Sequence, residues 1–378
     1  MRTVLPGSTL GMLGGGQLGN FFTESAIRMG YKVAVWDPDP DAPAKRFASQ
    51  SFTGTFDDES IASQFLECVD VCSLEWENVP VDLVSHLEQF INVRPGSKSL
   101  ALAQNRITEK TFLINNGFPV VQHKAITDLQ DLEKIKLPRP WVIKTATSGY
   151  DGHGQWNIEM AHQLTDTKTL IGGAGPWVVE QQLNFEKELS VVVISNGYGE
   201  IMSYPPTENL HENNILRTSL FPARITEKIL RESRKLSEDV IRAIDDIGVF
   251  CVELFLLGNE DLVVNEIAPR PHNSGHHTMD VFTISQFENQ VRCLCQLPTT
   301  EPISIGNSIL LNLLGDDIST ISNHAPQILD DNSTKLYSYG KTSVRPGRKM
   351  GHMIFRGTNM ENIKGKAAKV RKFIRSKP

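Results

Sequence analysis

Apolar positions change period several times along the chain, and each change marks an element. STLGML (8–13) is a short, mainly apolar run, GGGQLG turns it, FFTESAIRM (21–29) repeats apolar residues at helical spacing until Gly30, and YKVAVWD (31–37) is again mainly apolar, with VAVW at its centre. Short apolar runs fit strands buried on both faces, and the order strand, turn, helix, strand predicts the first half of a doubly wound parallel sheet. A further run, CVDVCSL (68–74), leads straight into Glu75, Trp76, Glu77 and Asn78. Ligands of open parallel sheets sit beyond the carboxyl ends of strands, so Glu75 and Glu77 are either site residues or a solvated acidic turn.

Beyond the turn-forming RPGSKS (94–99), which sets a first boundary near residue 100, RITEKTFLINN (106–116) has a helical pattern stopped by Gly117 and Pro119. WVIKTA (141–146) predicts a strand entering the glycine-rich TSGYDGHGQW (147–156), and GPWVVEQQL supplies another. LSVVVIS and GEIMSYP predict two strands around the turn Asn196-Gly197. Residues 227–247 form a long amphipathic helix closed by Gly248, followed by the strands FCVELFLL and LVVNEI, and the tail from about 300 is poorer in signals.

A length of 378 residues implies two or three domains. Hydrophobic residues at 40% and charged residues at 22% are globular values, and a net charge of -6 gives no reason to expect nucleic acid or an anionic membrane as partner. The five cysteines form no CxxC pair or zinc-ligand pattern, so reduced thiols are expected. No apolar run is long enough to span a membrane and the N-terminus has no secretory pattern, which predicts a soluble, cytoplasmic protein.

Four stretches carry candidate chemistry. Gly14-x-Gly16-x-x-Gly19 lies between strand and helix, and Asp37 follows at the interval seen in dinucleotide sites. The same glycines also suit a strand-to-helix turn in folds that hold no dinucleotide, and a helix end binds other phosphates too, a sugar phosphate among them. Lys144 ends a strand before Gly149, Gly152 and Gly154, with Thr145, Thr147, Ser148 and Tyr150 around them. That order is not a P-loop; it suits a triphosphate, or else it is a surface hairpin.

If residues 258–261 form a four-residue hairpin loop, Leu257 faces Leu262 and Glu253 faces Glu266, on one face with Phe255 and Val264. Like charges opposed across a sheet are destabilising, and a divalent cation removes the conflict; a slip of one residue would instead leave two unrelated surface acids. In APRPHNSGHH (268–277), Pro and Gly disfavour the regular helix that would aim His272, His276 and His277 at a zinc ion, so a substrate-binding loop reads better. Arg345, Arg348 and Lys349 form a cationic cluster suited to a phosphate monoester, or simple surface charge.

Together, GGGQLG, DPDPDAPA, EWENVP, KTATSGYDGHGQW, VVEQQLNFEKELSVVV, ENLHENNILRTS, NEIAPRPHNSGH, SQFENQVR, NLLGDD and RPGRKMGH resemble one family, the N5-carboxyaminoimidazole ribonucleotide synthetases of the ATP-grasp superfamily. The resemblance implies an α/β ATP-grasp fold: an N-terminal Rossmann-like domain without a dinucleotide (1–105), an ATP-grasp domain (106–300) with a small lid at about 120–182, and a C-terminal α+β domain (301–378). It implies ATP, Mg2+, bicarbonate and 5-aminoimidazole ribonucleotide as ligands, with carboxyphosphate as intermediate. A homodimer and a separate mutase that consumes the labile product are implied as well.

Carried over by position, the resemblance gives ATP contacts to Arg106, Lys144, the loop Gly149, Tyr150, Asp151, Gly152, His153, Gly154 and Gln155, the adenine segment Glu180, Gln181, Gln182 and Leu183, the ribose acceptor Glu188, and Asn265 with Glu266. Glu253 and Glu266 are the implied metal ligands. Tyr150, Asp151, His211, Arg270, His272, Asn273, Ser274, Lys341, Arg345 and Arg348 fall at the ribonucleotide and bicarbonate, with Tyr150, Asp151, Arg270 and Lys341 as the catalytic set. Gly16, Gln17, Leu18 and Glu75 are expected to face the ribonucleotide from the first glycine turn. One position departs from the family, His153, which replaces the usual Lys or Arg of the lid, and Ala268 stands where many ATP-grasp enzymes outside the family have a metal-binding Asn.

Carboxyphosphate hydrolyses easily, so the chemistry itself requires a lid that excludes water. Another ATP-grasp ligase or carboxylase is the nearest rival, against which HNSGH and RPGRKMGH count. A Rossmann oxidoreductase using NAD leaves Lys144, the second glycine loop and the Glu253/Glu266 pair without a use.

Overall fold

A computed structural model of the chain describes residues 3–147, 154–160, 171 and 175–375. The described strands form three sheets. β1 (Thr9–Leu13), β2 (Lys32–Trp36), β3 (Gln50–Phe52), β4 (Val71–Leu74) and β5 (Asn92–Val93) make a parallel sheet in the order β3-β2-β1-β4-β5. Leu10, Met12, Leu13, Val33, Val35 and Trp36 are fully buried, the reason these strands read as continuous apolar runs. The order reverses between β1 and β4, so the crevice beyond their carboxyl ends lies between the first glycine turn and Glu75. The helix Gln17–Arg28 begins directly at that turn, four residues earlier than the apolar pattern shows.

β6 (His123–Ile126), β7 (Trp141–Thr145), β8 (Gln155–Ile158) and β9 (Trp177–Gln181) form a small antiparallel sheet in the order β6-β9-β7-β8. Its own core contains Leu132, Trp141, Ile143, Ile158 and Trp177. β7 and β8 flank the second glycine loop, with Lys144 paired to Gln155.

The third sheet comprises β10 (Phe185–Ser195), β11 (Ile201–Ser203), β12 (Thr207–Glu212), β13 (Ile215–Phe221), β14 (Gly248–Leu257), β15 (Leu262–Ala268), β16 (Asn307–Leu314), β17 (Thr334–Ser338) and β18 (Lys349–Gly357). The order is β15-β14-β10-β12-β13-β16-β18-β17, with β11 beside β10. Because β13 pairs with β16 over Thr218 to Phe221, the sheet runs unbroken across the expected boundary near residue 300.

Three local expectations differ from the structure. The helix Glu227–Ile244 ends at Asp245, whose left-handed backbone (φ 57°) closes it; Gly248 instead opens β14, where a Cβ would lie 2.6 Å from Pro95. The turn after β10 spans five residues, Asn196 to Glu200, because the Asn196 side chain accepts N–H bonds from Tyr198 and Glu200 and Gly199 takes the positive φ.

The third difference concerns β14 and β15. Their loop has five residues, with Glu260 at φ 66°, so Leu256 and not Leu257 faces Leu262. Phe255 then pairs with Val263, while Val264 turns into the core with Leu254. A bulge at Asn265 restores the register, and Glu253 does face Glu266.

Candidate active site

The first glycine turn already holds an anion, and it belongs to the chain. Gly16 N–H donates to Glu75 Oε1 at 2.5 Å, Gly19 N–H to Glu75 Oε2 at 2.6 Å and Gly15 N–H to Asp37 Oδ2 at 2.6 Å. Glu75 is the first residue after β4, and the turn lies immediately across the switch point from it. A Cβ on Gly14 would stand 2.5 Å from Glu75 Cγ, and one on Gly16 would overlap its carboxylate. The glycines therefore admit a carboxylate where a dinucleotide would place its pyrophosphate, and Asp37 turns inward to the same loop. Burial raises the Glu75 carboxyl above its usual range, against the pull of the two amides.

Cations close this crevice from the other parts of the chain. Lys341 Nζ donates to Gln17 Oε1 at 2.7 Å and to Lys349 O at 3.0 Å, while Arg46 donates to the carbonyl of Gly340. Leu18, one residue on, is buried in a junction with Phe21, Phe287 and Tyr339. Arg270 Nε meets Glu77 Oε2 at 2.5 Å. Burial opposes the charge of Arg270, but Glu77 outweighs it and holds the guanidinium above its ordinary range. Arg348 donates to Ser343 O at 2.8 Å, in the loop between β17 and β18 that also carries the exposed Arg345.

His272 links this cluster to the carboxylate pair. Its Nδ1 accepts the Ser274 N–H at the start of a short helical turn and lies 2.7 Å from Ser274 Oγ, which leaves Nε2 as the N–H that faces Glu253 Oε1 at 3.1 Å. Burial first, and Glu266 next, raise the Glu253 carboxyl. The neighbouring Asn265 Oδ1 is buried without a hydrogen-bond partner. Two carboxylates in mutual conflict and an unsatisfied amide oxygen make a hard-oxygen donor set that fits Mg2+.

Asn273 is held from both sides. Asn312 Nδ2 donates to its Oδ1 at 2.5 Å, and its Nδ2 lies 3.5 Å from Tyr339 Oη, which itself meets His352 Nδ1 at 2.8 Å. His276 and His277 serve packing. They lie against Phe21 and Phe221, and burial pushes both down to about 3, so they stay neutral. Among the described residues, no group of three or more His, Cys, Asp or Glu side chains is placed to hold a metal ion.

On the lid side, Lys144 Nζ and Lys110 Nζ each lie 2.8 Å from one oxygen of Glu180. Burial opposes the Glu180 charge, but Lys144 and then Lys110 outweigh it and hold the carboxyl down at about 2. Arg106 donates to Thr145 O at 3.2 Å, and Gln181 and Gln182 donate their N–H groups to Gln122 O and Pro140 O. Gly154 takes φ 71°, and Gln155 pairs beside Lys144. Glu188 is paired with His211, which places His211 beside the expected ribose acceptor. Leu183 follows β9 in the connection to β10. Gly149, Tyr150, Asp151, Gly152 and His153 lie outside the described residues.

Family models match in three consecutive pieces: a ribonucleotide synthetase preATP-grasp domain over residues 7–104, an ATP-grasp domain over 111–287 and a phosphoribosylaminoimidazole carboxylase C-terminal domain over 308–366. The N5-carboxyaminoimidazole ribonucleotide synthase of Bacillus subtilis is 37% identical over 356 residues, covering 94% of this chain and 93% of its own length. The chain belongs to this family of ATP-grasp ligases. Its counterpart from Staphylococcus saprophyticus is 36% identical and covers 92% of each chain.

Solved structures of the family agree closely. The Staphylococcus aureus N5-carboxyaminoimidazole synthetase complexed with ADP superposes with a TM-score of 0.93 at 33% identity, covering 99% of each chain. The Aspergillus clavatus N5-carboxyaminoimidazole synthase with ADP and 5-aminoimidazole ribonucleotide gives 0.90 at 28% identity, covering 97% of this chain and 98% of its own.

Several residues of the site escape a reading of the family's motifs. Glu109 and Lys110 are both buried on the helix Arg106–Asn115, sharing its inner face with Leu113. Their signal was present as two charges one turn before that leucine, inside the apolar stripe. Tyr339 acts through Asn273 and lies in none of the family's runs, whereas Asn312, which also holds Asn273, opens NLLGDD. Burial pushes the Glu109 carboxyl up to about 8.

Proposed function

We propose that the chain carboxylates 5-aminoimidazole ribonucleotide with bicarbonate, consuming ATP and releasing ADP and phosphate, as a cytoplasmic step of purine synthesis. His272 carries this reading. Its ring faces Glu253 of the phosphoryl-transfer end, and its chain neighbours Arg270 and Asn273 stand in the cluster with Glu77 and Tyr339. The two ends of the reaction thus meet at one side chain.

ATP lies along the Lys144 and Glu180 side, with Glu188 at its ribose. Lys144 is poised to exchange Glu180 for phosphate oxygens. Mg2+, held by Glu253, Glu266 and the Asn265 amide oxygen, would supply neutralisation of phosphate charge. A bicarbonate oxygen attacks the γ-phosphorus and the bond to ADP breaks, giving carboxyphosphate. Arg270 and Lys341 bring positive charge to the carboxyl group as its bond to phosphate breaks, and the amine of the ribonucleotide forms the new C–N bond. The proton lost by the amine leaves with phosphate.

Gln17, Leu18 and Glu75 bound the ribonucleotide from the glycine turn, and Arg345 and Arg348 supply charge for its phosphate. The N-carboxy product is labile, so a separate mutase consumes it. A homodimer is the proposed assembly. Among the described residues, no helix is long and apolar enough to cross a membrane.

The test is ADP release with bicarbonate, in the presence and absence of the ribonucleotide, with Glu266→Gln as control. Release that ignores the ribonucleotide would remove the substrate assignment. NAD binding in a titration would revive the oxidoreductase.

A further inference from the structure

The meeting of Glu253 and Glu266 depends on a register correction, and one buried side chain secures that correction from behind. Asn265 has no partner on β14, because Val264 faces Leu254 and Glu266 faces Glu253. Without the bulge, the five-residue hairpin would set Glu253 against Asn265 and turn Glu266 to the opposite face of the sheet.

β15 is the edge strand of its sheet, so its outward N–H groups need acceptors from elsewhere. Val264 N–H finds Pro119 O at 2.8 Å. In a regular strand the next outward groups would be those of residues 266 and 268. The bulge shifts the sequence by one, and the N–H that emerges is that of Ile267, which donates to Glu109 Oε1 at 2.6 Å. Glu109 is 2% exposed and comes from the helix Arg106–Asn115, which packs along this edge with Leu113 against Val264 and Ile267. Its acceptor meets a donor that only the bulged register presents.

We propose that Glu109 is a positioning residue for the metal site: by accepting the Ile267 N–H it fixes the bulge at Asn265 and thereby the side from which Glu266 and the Asn265 amide reach a divalent cation. This rests on the reading of Glu253 and Glu266 as metal ligands. A carboxyl is not required for the task; a neutral side chain of the same length with an acceptor oxygen satisfies the same N–H, whereas an apolar one leaves it buried without a partner.

The probe is Mn2+ added to the full chain with ADP, with free Mn2+ read by electron paramagnetic resonance and metal-free ADP affinity read by calorimetry. Glu109→Met is expected to weaken Mn2+ binding about tenfold, in the range seen when outer-sphere support of a metal ligand is lost, and to change metal-free ADP affinity by less than about twofold. Glu109→Gln is expected to keep both near wild type, and Glu266→Gln to lose Mn2+ binding.

Unchanged Mn2+ affinity in Glu109→Met, beside a loss in Glu266→Gln, overturns the positioning role and leaves the metal site standing. Unchanged affinity in both overturns the metal reading itself. Equal losses of Mn2+ and metal-free ADP make Glu109 a general packing residue and also overturn the proposal. Should Glu109→Met fail to fold, Glu109→Gln decides: weakened Mn2+ binding there means the charge matters and not the N–H bond, which overturns the proposal.

Discussion

Glu75 occupies the anion seat of the first glycine turn, with Gly16 N–H on one carboxylate oxygen and Gly19 N–H on the other. A side chain at position 16 would displace this carboxylate and disturb Gln17 with it, because a Cβ there overlaps Glu75. Gly16→Val is expected to raise KM for the ribonucleotide by about tenfold or more while leaving KM for ATP within about twofold, a split that steady-state kinetics with each substrate varied in turn measures directly. The reverse order would remove the turn from the ribonucleotide site.

Glu77 has the matching role on the other side of the crevice. It holds Arg270 at 2.5 Å, and neither side chain is fully exposed. Glu77→Gln keeps the shape and removes the charge, so Arg270 loses its orientation but not its place. An expected fall of about tenfold in kcat/KM for the ribonucleotide, with unchanged ADP binding, is checked by kinetics and calorimetry on the same preparation.

Glu253 and Glu266 conflict as long as no cation joins them. Removing one charge should therefore help the metal-free fold while it harms the enzyme. Glu253→Gln is expected to stabilise the metal-free protein by about 1 kcal/mol in urea unfolding and to abolish carboxylation. Destabilisation in metal-free buffer would show that the two carboxylates do not repel.

The Lys110, Glu180 and Lys144 cluster sets a limit at acid pH. Glu180 titrates at about 2 in the fold against an ordinary value of 4.5. The unfolded chain therefore takes up the proton first as pH falls, so the contribution is full above about 4.5 and disappears as pH approaches 2. Its size is on the order of 3 kcal/mol, and Glu180→Gln should lack this part of the pH dependence when unfolding midpoints are compared at pH 5.5 and 3.5.

Much of this site was legible because the chemistry forces unusual residue patterns. Two acids at matching places on consecutive strands mark the facing carboxylates Glu253 and Glu266, although the loop between them is one residue longer than the pattern shows. The difference cancels only because a bulge follows, and nothing in LVVNEI marks Asn265 as the extra residue. Helix ends failed for a similar reason: Asp245 adopts the left-handed conformation that a reading of glycines reserves for Gly248. The glycine turn was legible as a turn but not in its occupant, since the carboxylate that fills it comes from a strand 56 residues later in the chain. Tyr339 and Glu109 were hidden because their roles depend on contacts between segments distant in the chain.

The pairing of β13 with β16 also bears on how the chain can be cut. Family models divide the sequence between residues 287 and 308, yet that division falls inside a continuous hydrogen-bonded surface. A fragment ending near residue 300 would present β13 as a bare edge and the complementary fragment would present β16, each a template for pairing with other chains. Expression of either half alone should give aggregation-prone material, whereas co-expression of both offers each edge its native partner. The boundaries that the sequence suggests and those along which the sheet could be parted therefore do not coincide.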